Sequence, residues 1–438
     1  MKYPTTIIIC GITGDLAQKK IVPALFDLHK RGELGQDFRL VGFSRRDMTE
    51  TDVRAFVETI LSEQELDCPS VNDFIDKISY VSGQFDDKNS YKKLSEHLAR
   101  LDSERGTCSN KLFYFAVPPT LYETLATQIS ESGLSIPCGG KDGFSRILIE
   151  KPFGKDLQTA EHLDALLGKL FKEEQIFRID HYVAKQALLD LINLHRPDEK
   201  FKEKWNNKFI TKVEINLFEK ALVGSRGAFY DEVGAFRDVG QNHILQMLAL
   251  VAMEIPRPAA DVELPFGSGL RDSATSPIRP DAKNIQAARA EVLKNLRSAG
   301  QKELDQMRRG QYTGYLSETG VKPNSTTETF FSLTVFVDSE NFRGVPFVLT
   351  AGKALSKNLT EIVVHFKDWP KFVFTVPRED SQPAYQKILL DCIAGDQTVF
   401  TSTGEVLAEW RFVTPIVEAT KNLPPFEYKI GSHPEELV

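Results

Sequence analysis

The run Arg178-Ile179-Asp180-His181-Tyr182-Val183-Ala184-Lys185 brings a carboxylate, an imidazole, a phenol and two permanent cations into one short stretch after the apolar pair Ile176-Phe177. Together such groups suffice to hold a phosphorylated polar substrate. Taken alone, the run reads more readily as a strand edge with solvated charges. Two other places carry potential chemistry. Gly11-Ile12-Thr13-Gly14-Asp15-Leu16 has two glycines that permit a tight turn and close approach by a ligand. His243 sits in the first half of the nearly all-apolar stretch from Gly240 to Leu250, where a histidine is more often a hydrogen-bonded core residue than a catalyst. Asp238 and Gln241 have the spacing of a capping box, so that acid can serve the helix alone.

The elements that would position these residues are legible in the first half. Thr6-Ile7-Ile8-Ile9-Cys10 is an unbroken apolar run of the kind that forms a parallel strand buried on both faces. The glycine turn follows at once, and Leu16, Ile21, Leu25 and Leu28 then mark a helix that stops at Gly32, with Pro23 expected to bend it. Strand, glycine turn and helix N-terminus together make an anion site, because N–H groups and the positive dipole end face one point. The spacing is Gly-x-x-Gly rather than the full dinucleotide fingerprint, so a plain strand-to-helix turn is the alternative. The next strand, Phe38 to Phe43, ends at Ser44-Arg45-Arg46, where the adenosine ribose of a nucleotide lies in a doubly wound sheet. Two forked cations there suit a 2′-phosphate, which favours NADP over NAD, although Asp47 could partner either arginine.

Further strands are expected at Leu112–Val117 and Arg146–Glu150, with a capping box at Thr120 and Glu123 opening the helix between them. Pro118 ends one strand at the edge where ligands of such sheets lie, and Lys151 ends the next, aimed at the cofactor crevice, with Pro152 a candidate for a cis turn. A helix capped by Asp156 then leads to the strand Ile176–Ile179, which delivers the opening stretch. Beyond it the texture changes to helices, a polar link near Arg196-Pro197-Asp198, and strands at Lys212–Glu219, Phe331–Val337, Phe347–Thr350, Glu361–Phe366 and Phe372–Val376. Their alternation predicts a largely antiparallel sheet with helices on one face and water or a second subunit on the other. Ile255 to Pro280 reads as a long surface loop, followed by a helix from about Asn284 to Ser298.

The expected fold is therefore α/β followed by α+β: a Rossmann-like doubly wound parallel sheet over 1–178, then a domain over 179–438 with a large, mainly antiparallel sheet covered by helices. A chain of 438 residues is long for one core, which also favours two domains. Its net charge of −7 opposes nonspecific nucleic-acid binding, so an anionic substrate needs a local cationic cluster. The sequence shows neither a membrane-spanning run nor a secretory leader, and the expectation is a cytoplasmic protein. Cys10, Cys68, Cys108, Cys138 and Cys392 have no paired spacing, which suggests neither a disulfide framework nor a metal site and leaves reduced thiols as the expectation.

Five blocks occur in the order seen in glucose-6-phosphate dehydrogenases: Gly11-Ile12-Thr13-Gly14-Asp15-Leu16-Ala17, Glu150-Lys151-Pro152-Phe153-Gly154, Arg178 to Tyr182, Arg237 to His243, and Gly344 to Phe347 with Ala351-Gly352-Lys353. The chain resembles that family from its first strand to about Pro415. The resemblance implies oxidation of the C1 hydroxyl of glucose 6-phosphate to the lactone, with hydride passing to NADP, or more weakly to NAD, as the first oxidative step of the pentose phosphate pathway. It implies that His243 removes the hydroxyl proton and that Asp180 orients it and stabilises the imidazolium. A histidine pKa of about 6.5 suits such proton abstraction near neutrality. By the same resemblance His181, Tyr182, Lys185 and Lys353 form the phosphate pocket, Glu219 and Asp238 accept sugar hydroxyls, and Lys151 bridges cofactor and substrate. Gly11, Thr13, Gly14, Asp15, Leu16, Arg45, Arg46 and Pro118 fall on the cofactor side. A homodimer or homotetramer through the second domain's sheet is the expected assembly.

The sequence departs from the family where Ala184 stands for Gly, Gln186 for Glu and Asn358 for an arginine, with Lys357 beside the last as a substitute. Segments that hold a second, structural NADP in some members are missing, so only the catalytic nucleotide is expected. Two rival readings are a sugar or polyol dehydrogenase of the glucose–fructose oxidoreductase type, which has no need of the cations around His181, and a silent dinucleotide sensor, which has no need of a base.

Overall fold

The computed structural model describes residues 4–63, 70–194, 202–254, 282–297, 299–377 and 381–438. Cys68, the polar link near Arg196 and the expected loop from Ile255 to Pro280 lie outside them. The strands in chain order begin with β1 (Thr5–Cys10), β2 (Arg39–Ser44), β3 (Ile78–Ser82), β4 (Asn110–Phe115), β5 (Ser145–Glu150) and β6 (Ile176–Ile179). They continue with β7 (Ile210–Phe218), β8 (Arg308–Tyr312), β9 (Phe330–Val335), β10 (Phe347–Gly352), β11 (Leu359–Phe366) and β12 (Phe372–Thr375). Two short strands, β13 (Phe400–Thr401) and β14 (Phe426–Tyr428), complete the series.

The chain divides into two compact units, one made of Met1–Lys185 and Glu379–Val406, the other of Gln186–Arg378 and Leu407–Val438. This differs from the expected single boundary after residue 178 in two ways: the turn through Lys185 stays with the first unit, and a late segment returns to it. The return has a physical basis. Gln386, on the helix Ser381–Ala394, donates to Asp27 at 3.0 Å and accepts from Arg31 at 2.9 Å, while β13 adds to the edge of β6 in antiparallel register, Phe400 against Ile179.

In the first unit the sheet order is β13-β6-β5-β4-β1-β2-β3, parallel except for β13. All six residues of β1 are buried, as an unbroken apolar run at a sheet centre requires. Ile8, Val41, Phe113 and Ile147 from four neighbouring strands share one core with Leu125 and Leu163 from the crossover helices. The first helical run starts at Asp15 and Leu16 and passes through a wide π-helical turn, Ala17–Ile21; Pro23, which has no N–H to give, falls just after that turn, where the regular helix Val22–Lys30 resumes. Asp156 caps the helix Leu157–Leu170 through Thr159, as its position predicts. Thr120 does not cap: the helix Tyr122–Glu131 is entered through a short 3₁₀ turn, Pro119–Leu121, whose first residues follow the fixed backbone of Pro118-Pro119.

The expectation of reduced thiols fails at one pair. Cys108 and Cys138 form a disulfide with a Cα–Cα distance of 5.7 Å, whereas Cys10 and Cys392 are free and buried. The two half-cystines lie on the loops that enter the adjacent parallel strands β4 and β5, and no spacing rule in the sequence shows that those loops converge.

In the second unit the sheet order is β12-β11-β7-β10-β9-β8-β14, mainly antiparallel, with β7–β10 and β8–β14 parallel. One face is covered by a helix that starts as a π-helical segment, Phe236–Ile244, and continues as a regular helix, Leu245–Ala252. Gly240 lets that segment press on β9: a Cβ there would meet Phe331 Cζ at 3.0 Å and the Phe236 ring at 2.8 Å. Asp238 does not open the helix, which starts at Gly234 and Ala235 with the Phe236 N–H given to Glu328 at 3.0 Å; Gln241 donates to Glu409, at 3.0 Å. The helix expected from Asn284 spans Ala282–Lys294.

Candidate active site

The glycine turn leaves β1 at its carboxyl end. Gly11 has φ +92°, and a Cβ there would lie 2.5 Å from the Ala116 carbonyl oxygen, so β4 approaches the turn too closely for any side chain. Gly14 donates to the Gly11 carbonyl at 2.9 Å, and helical structure begins at Asp15 and Leu16. The first-turn N–H groups have no carbonyl four residues back and face outward from the sheet's carboxyl edge, which suits a pyrophosphate. Thr13 is partly buried, with its carbonyl accepting from Gln18, and Asp15 is exposed and paired with Lys19 at 3.1 Å. Arg45 and Arg46 follow β2 and are exposed, and neither forms an ion pair with Asp47. Tyr80 fixes the Arg46 backbone by donating to its carbonyl at 2.6 Å. Pro118 follows β4 at the same sheet edge as the glycine turn, exposed.

Lys151 follows β5, and its bond to Pro152 is cis. Beside it Glu150 receives the Tyr114 hydroxyl at 2.6 Å and that of Tyr385, which the returning helix supplies. Burial pushes the Glu150 carboxyl up, and the two phenols and the Lys151 charge offset this only in part. Sequence reasoning missed this group; the one available signal was an acid at the end of an otherwise apolar strand.

Asp180 follows β6 and is 3% exposed. Its Oδ1 accepts the Tyr182 N–H at 2.9 Å, and its carbonyl accepts that of Val183 at 3.2 Å, so the acid shapes the turn that presents the next residues. The His181 ring lies 5.1 Å from that of Tyr182 and stacks on Tyr385 at 6.4 Å, while Lys185 Nζ sits 4.4 Å from the Tyr182 ring centre. These side chains gather at one point. Arg178 does not join them: it is buried and points to Asp164 at 3.0 Å, Glu173 at 2.7 Å and the Thr403 hydroxyl at 2.8 Å. Ala184 is buried without a positive φ, the described non-glycine residue in that region being Ala354 at +56°, so the turn makes no demand for glycine.

In the second unit β7 and β10 run parallel with Phe218 opposite Gly352, which places Glu219 and Lys353 side by side at their carboxyl ends. Lys353 forms a short ion pair with Glu219 and lies 4.0 Å from Asp238. Its backbone is held by Thr329 and by the Tyr428 hydroxyl. His243 lies in the π-helical segment, 2% exposed, with its N–H donated to Asn242 Oδ1 at 2.7 Å. Widened turns of this kind recur at functional sites. Gln241 and Gln246 both donate to the buried Glu409, which anchors the helix that carries His243. Lys357 is drawn away to Glu435 at 2.6 Å, and Asn358 accepts the Lys220 N–H, so neither offers a forked cation.

A doubly wound sheet with a glycine turn at the strand-to-helix junction, followed by a large mixed sheet, defines a two-domain oxidoreductase of the nicotinamide-dependent kind. The family model for glucose-6-phosphate dehydrogenase, NAD binding domain, matches residues 8–189, and that for the C-terminal domain matches 194–264, 274–383 and 375–437. The glucose-6-phosphate 1-dehydrogenase 2 of Mycobacterium bovis is 34% identical, covering 95% of this chain and 88% of that protein. The cytoplasmic isoform of Solanum tuberosum is 32% identical, covering 98% and 89%. A glucose-6-phosphate dehydrogenase solved in complex with its substrate glucose 6-phosphate superposes with a TM-score of 0.85 at 27% identity, covering 99% of this chain and 96% of that one. The chain belongs to the glucose-6-phosphate dehydrogenase family. Among the described residues no helix is long and apolar enough to cross a membrane.

Proposed function

We propose that the protein oxidises glucose 6-phosphate at C1 to the lactone, with His243 as general base, Asp180 as its orienting carboxylate and NADP as the cofactor. The observation that carries this reading is the turn after β6: Asp180 shapes it, and it presents an imidazole, a phenol and an ammonium together, a donor set suited to a phosphate. His181, Tyr182 and Lys185 hold the phosphate. Glu219 and Asp238 accept sugar hydroxyls, and Lys353, expected in the phosphate pocket, is here assigned to the sugar side because it pairs with Glu219 and lies 4.0 Å from Asp238. His243 takes the C1 hydroxyl proton, and the orienting carboxylate offsets what burial costs the imidazolium so formed. When bound, the nicotinamide supplies the hydride acceptor. Gly11, Thr13, Gly14, Asp15, Leu16, Pro118 and Lys151 line its side of the site, and Arg45 and Arg46, free of Asp47, favour a 2′-phosphate.

The test follows reduction of NADP⁺ and NAD⁺ with glucose 6-phosphate in wild type and His243→Asn. Wild-type turnover with loss of about 10²–10⁴-fold in the variant is expected; a variant that keeps full turnover refutes the assignment. Charge reversal at Arg45 or Arg46 raises the KM for NADP⁺ and spares that for NAD⁺. We infer that assembly as a homodimer or homotetramer uses the open face of the second sheet, where Glu214, Asn216 and Glu361 are only partly covered. Light scattering of a Glu214→Arg/Glu361→Arg variant, still oligomeric, overturns that inference.

A further inference from the structure

Tyr230 ends the short helix Gly227–Tyr230 in the second unit and is 2% exposed. Its hydroxyl is shielded from solvent and has no hydrogen-bond partner among the described residues. The neighbouring tyrosines of the same core are satisfied: Tyr312 donates to Glu318 at 2.7 Å, Tyr315 to Asp231 at 3.0 Å and Tyr428 to the Lys353 carbonyl at 2.8 Å. A buried hydroxyl left unmet is unfavourable, and such a group calls for an explanation.

Its surroundings supply one. Tyr230 lines the same small cavity as Glu219, Asp238 and Lys353, and Lys353 Nζ lies 5.5 Å from its ring centre. Burial, with the Asp238 and Glu328 carboxylates next in effect, pushes the phenol far above its ordinary range, so it stays protonated at any working pH and can donate. The two carboxylates of the cavity can only accept, and the ammonium between them is already engaged by them. A sugar hydroxyl that donates to a carboxylate still has lone pairs that need a donor. We propose that the Tyr230 hydroxyl is that donor, a specificity-determining contact to one ring hydroxyl of the hexose phosphate. The proposal rests on the reading that this cavity takes the sugar.

The experiment compares wild type, Tyr230→Phe and Tyr315→Phe as full chains. It measures kcat and KM for glucose 6-phosphate, its 2-, 3- and 4-deoxy analogues, calorimetric affinity for glucose 6-phosphate, and the thermal midpoint without ligand. Tyr230→Phe is expected to weaken glucose 6-phosphate binding and kcat/KM roughly 3- to 10-fold, the worth of one neutral hydrogen bond. The loss should vanish for the single deoxy analogue that lacks the partner hydroxyl. Its thermal midpoint should hold or rise, whereas Tyr315→Phe, which loses a made bond, should fall. Unchanged affinity in Tyr230→Phe overturns the proposal, as does an equal loss on every analogue with a midpoint that falls like that of Tyr315→Phe. Absence of turnover in wild type with binding retained strikes the reading of function instead, and the affinity arm still decides the role of Tyr230.

Discussion

Replacing Arg178 with methionine keeps the length of the side chain and removes its charge. The arginine side chain is 4% exposed, and its fork reaches Asp164, Glu173 and Thr403 at once. The three partners do not count equally. Glu173 is 48% exposed, so its share is that of a surface pair, about 0–1 kcal/mol. Asp164 is only 23% exposed and would keep the Thr403 hydroxyl, at 2.6 Å, as its remaining partner. Stripping one member from a buried pair costs roughly 3–5 kcal/mol, and the partial exposure of Asp164 puts this case at the low end, about 3 kcal/mol. For a folding unit of this size each kcal/mol moves the midpoint by about 2–4 °C, so a fall of roughly 6–12 °C is expected by calorimetry. The KM for glucose 6-phosphate should stay within about twofold, since the guanidinium faces away from His181 and Lys185. A loss below about 1 kcal/mol, or a tenfold rise in KM at an unchanged midpoint, would refute the reasoning and return Arg178 to the phosphate.

Glu150→Gln tests the buried acid. A carboxyl whose folded pKa is raised contributes stability below its ordinary range, and that contribution is lost as pH rises through the raised value. Wild type should therefore lose stability relative to the variant from about pH 4 upward, read as urea midpoints at a series of pH values; parallel curves would exclude it. Gly11→Ala forces a Cβ against the Ala116 carbonyl at positive φ and should cost more than about 1 kcal/mol while weakening binding of the reduced nicotinamide dinucleotide, followed by its fluorescence. Cys108→Ser opens a loop with a sequence separation of 30, worth about 3–4 kcal/mol of unfolded-chain entropy under non-reducing conditions; equal midpoints for the variant and the oxidised wild type would contradict that.

What the sequence revealed was local. The β1 run, the glycine turn, Lys151-Pro152, the Asp156 cap and the turn after β6 each depend on neighbours a few residues apart, and all are present. What stayed hidden depends on distant partners. Arg178 looked like a second cation for phosphate because spacing does not show which way its fork points: Glu173 and Asp164 are 5 and 14 residues back, and only Thr403, 225 residues on, is distant. Asp238 looked like a cap because nothing local shows that the helix starts at Gly234, where Glu328, far along the chain, takes the Ala235 and Phe236 N–H groups. The Cys108–Cys138 bond, the Tyr385 hydroxyl on Glu150 and the unmet hydroxyl of Tyr230 follow from which loops and strands meet, which spacing alone does not encode. Ala184 is the converse case. Its departure from the family's glycine is visible in the sequence, and the backbone there is one that alanine adopts without strain.

The return of Glu379–Val406 also sets an order of events during synthesis. The ribosome releases Lys185 long before the residues that complete the first sheet, a gap of roughly 10–40 s at ordinary elongation rates. Through that interval the outer edge of β6 has no β13 beside it, and Glu150 has no Tyr385 above it. An uncovered strand edge is a template for mispairing. The nucleotide-binding unit is thus the first to emerge yet stays open until its late segment is made, so a nascent chain stalled before residue 379 should be protease-sensitive in β6 and should not retain a nicotinamide dinucleotide.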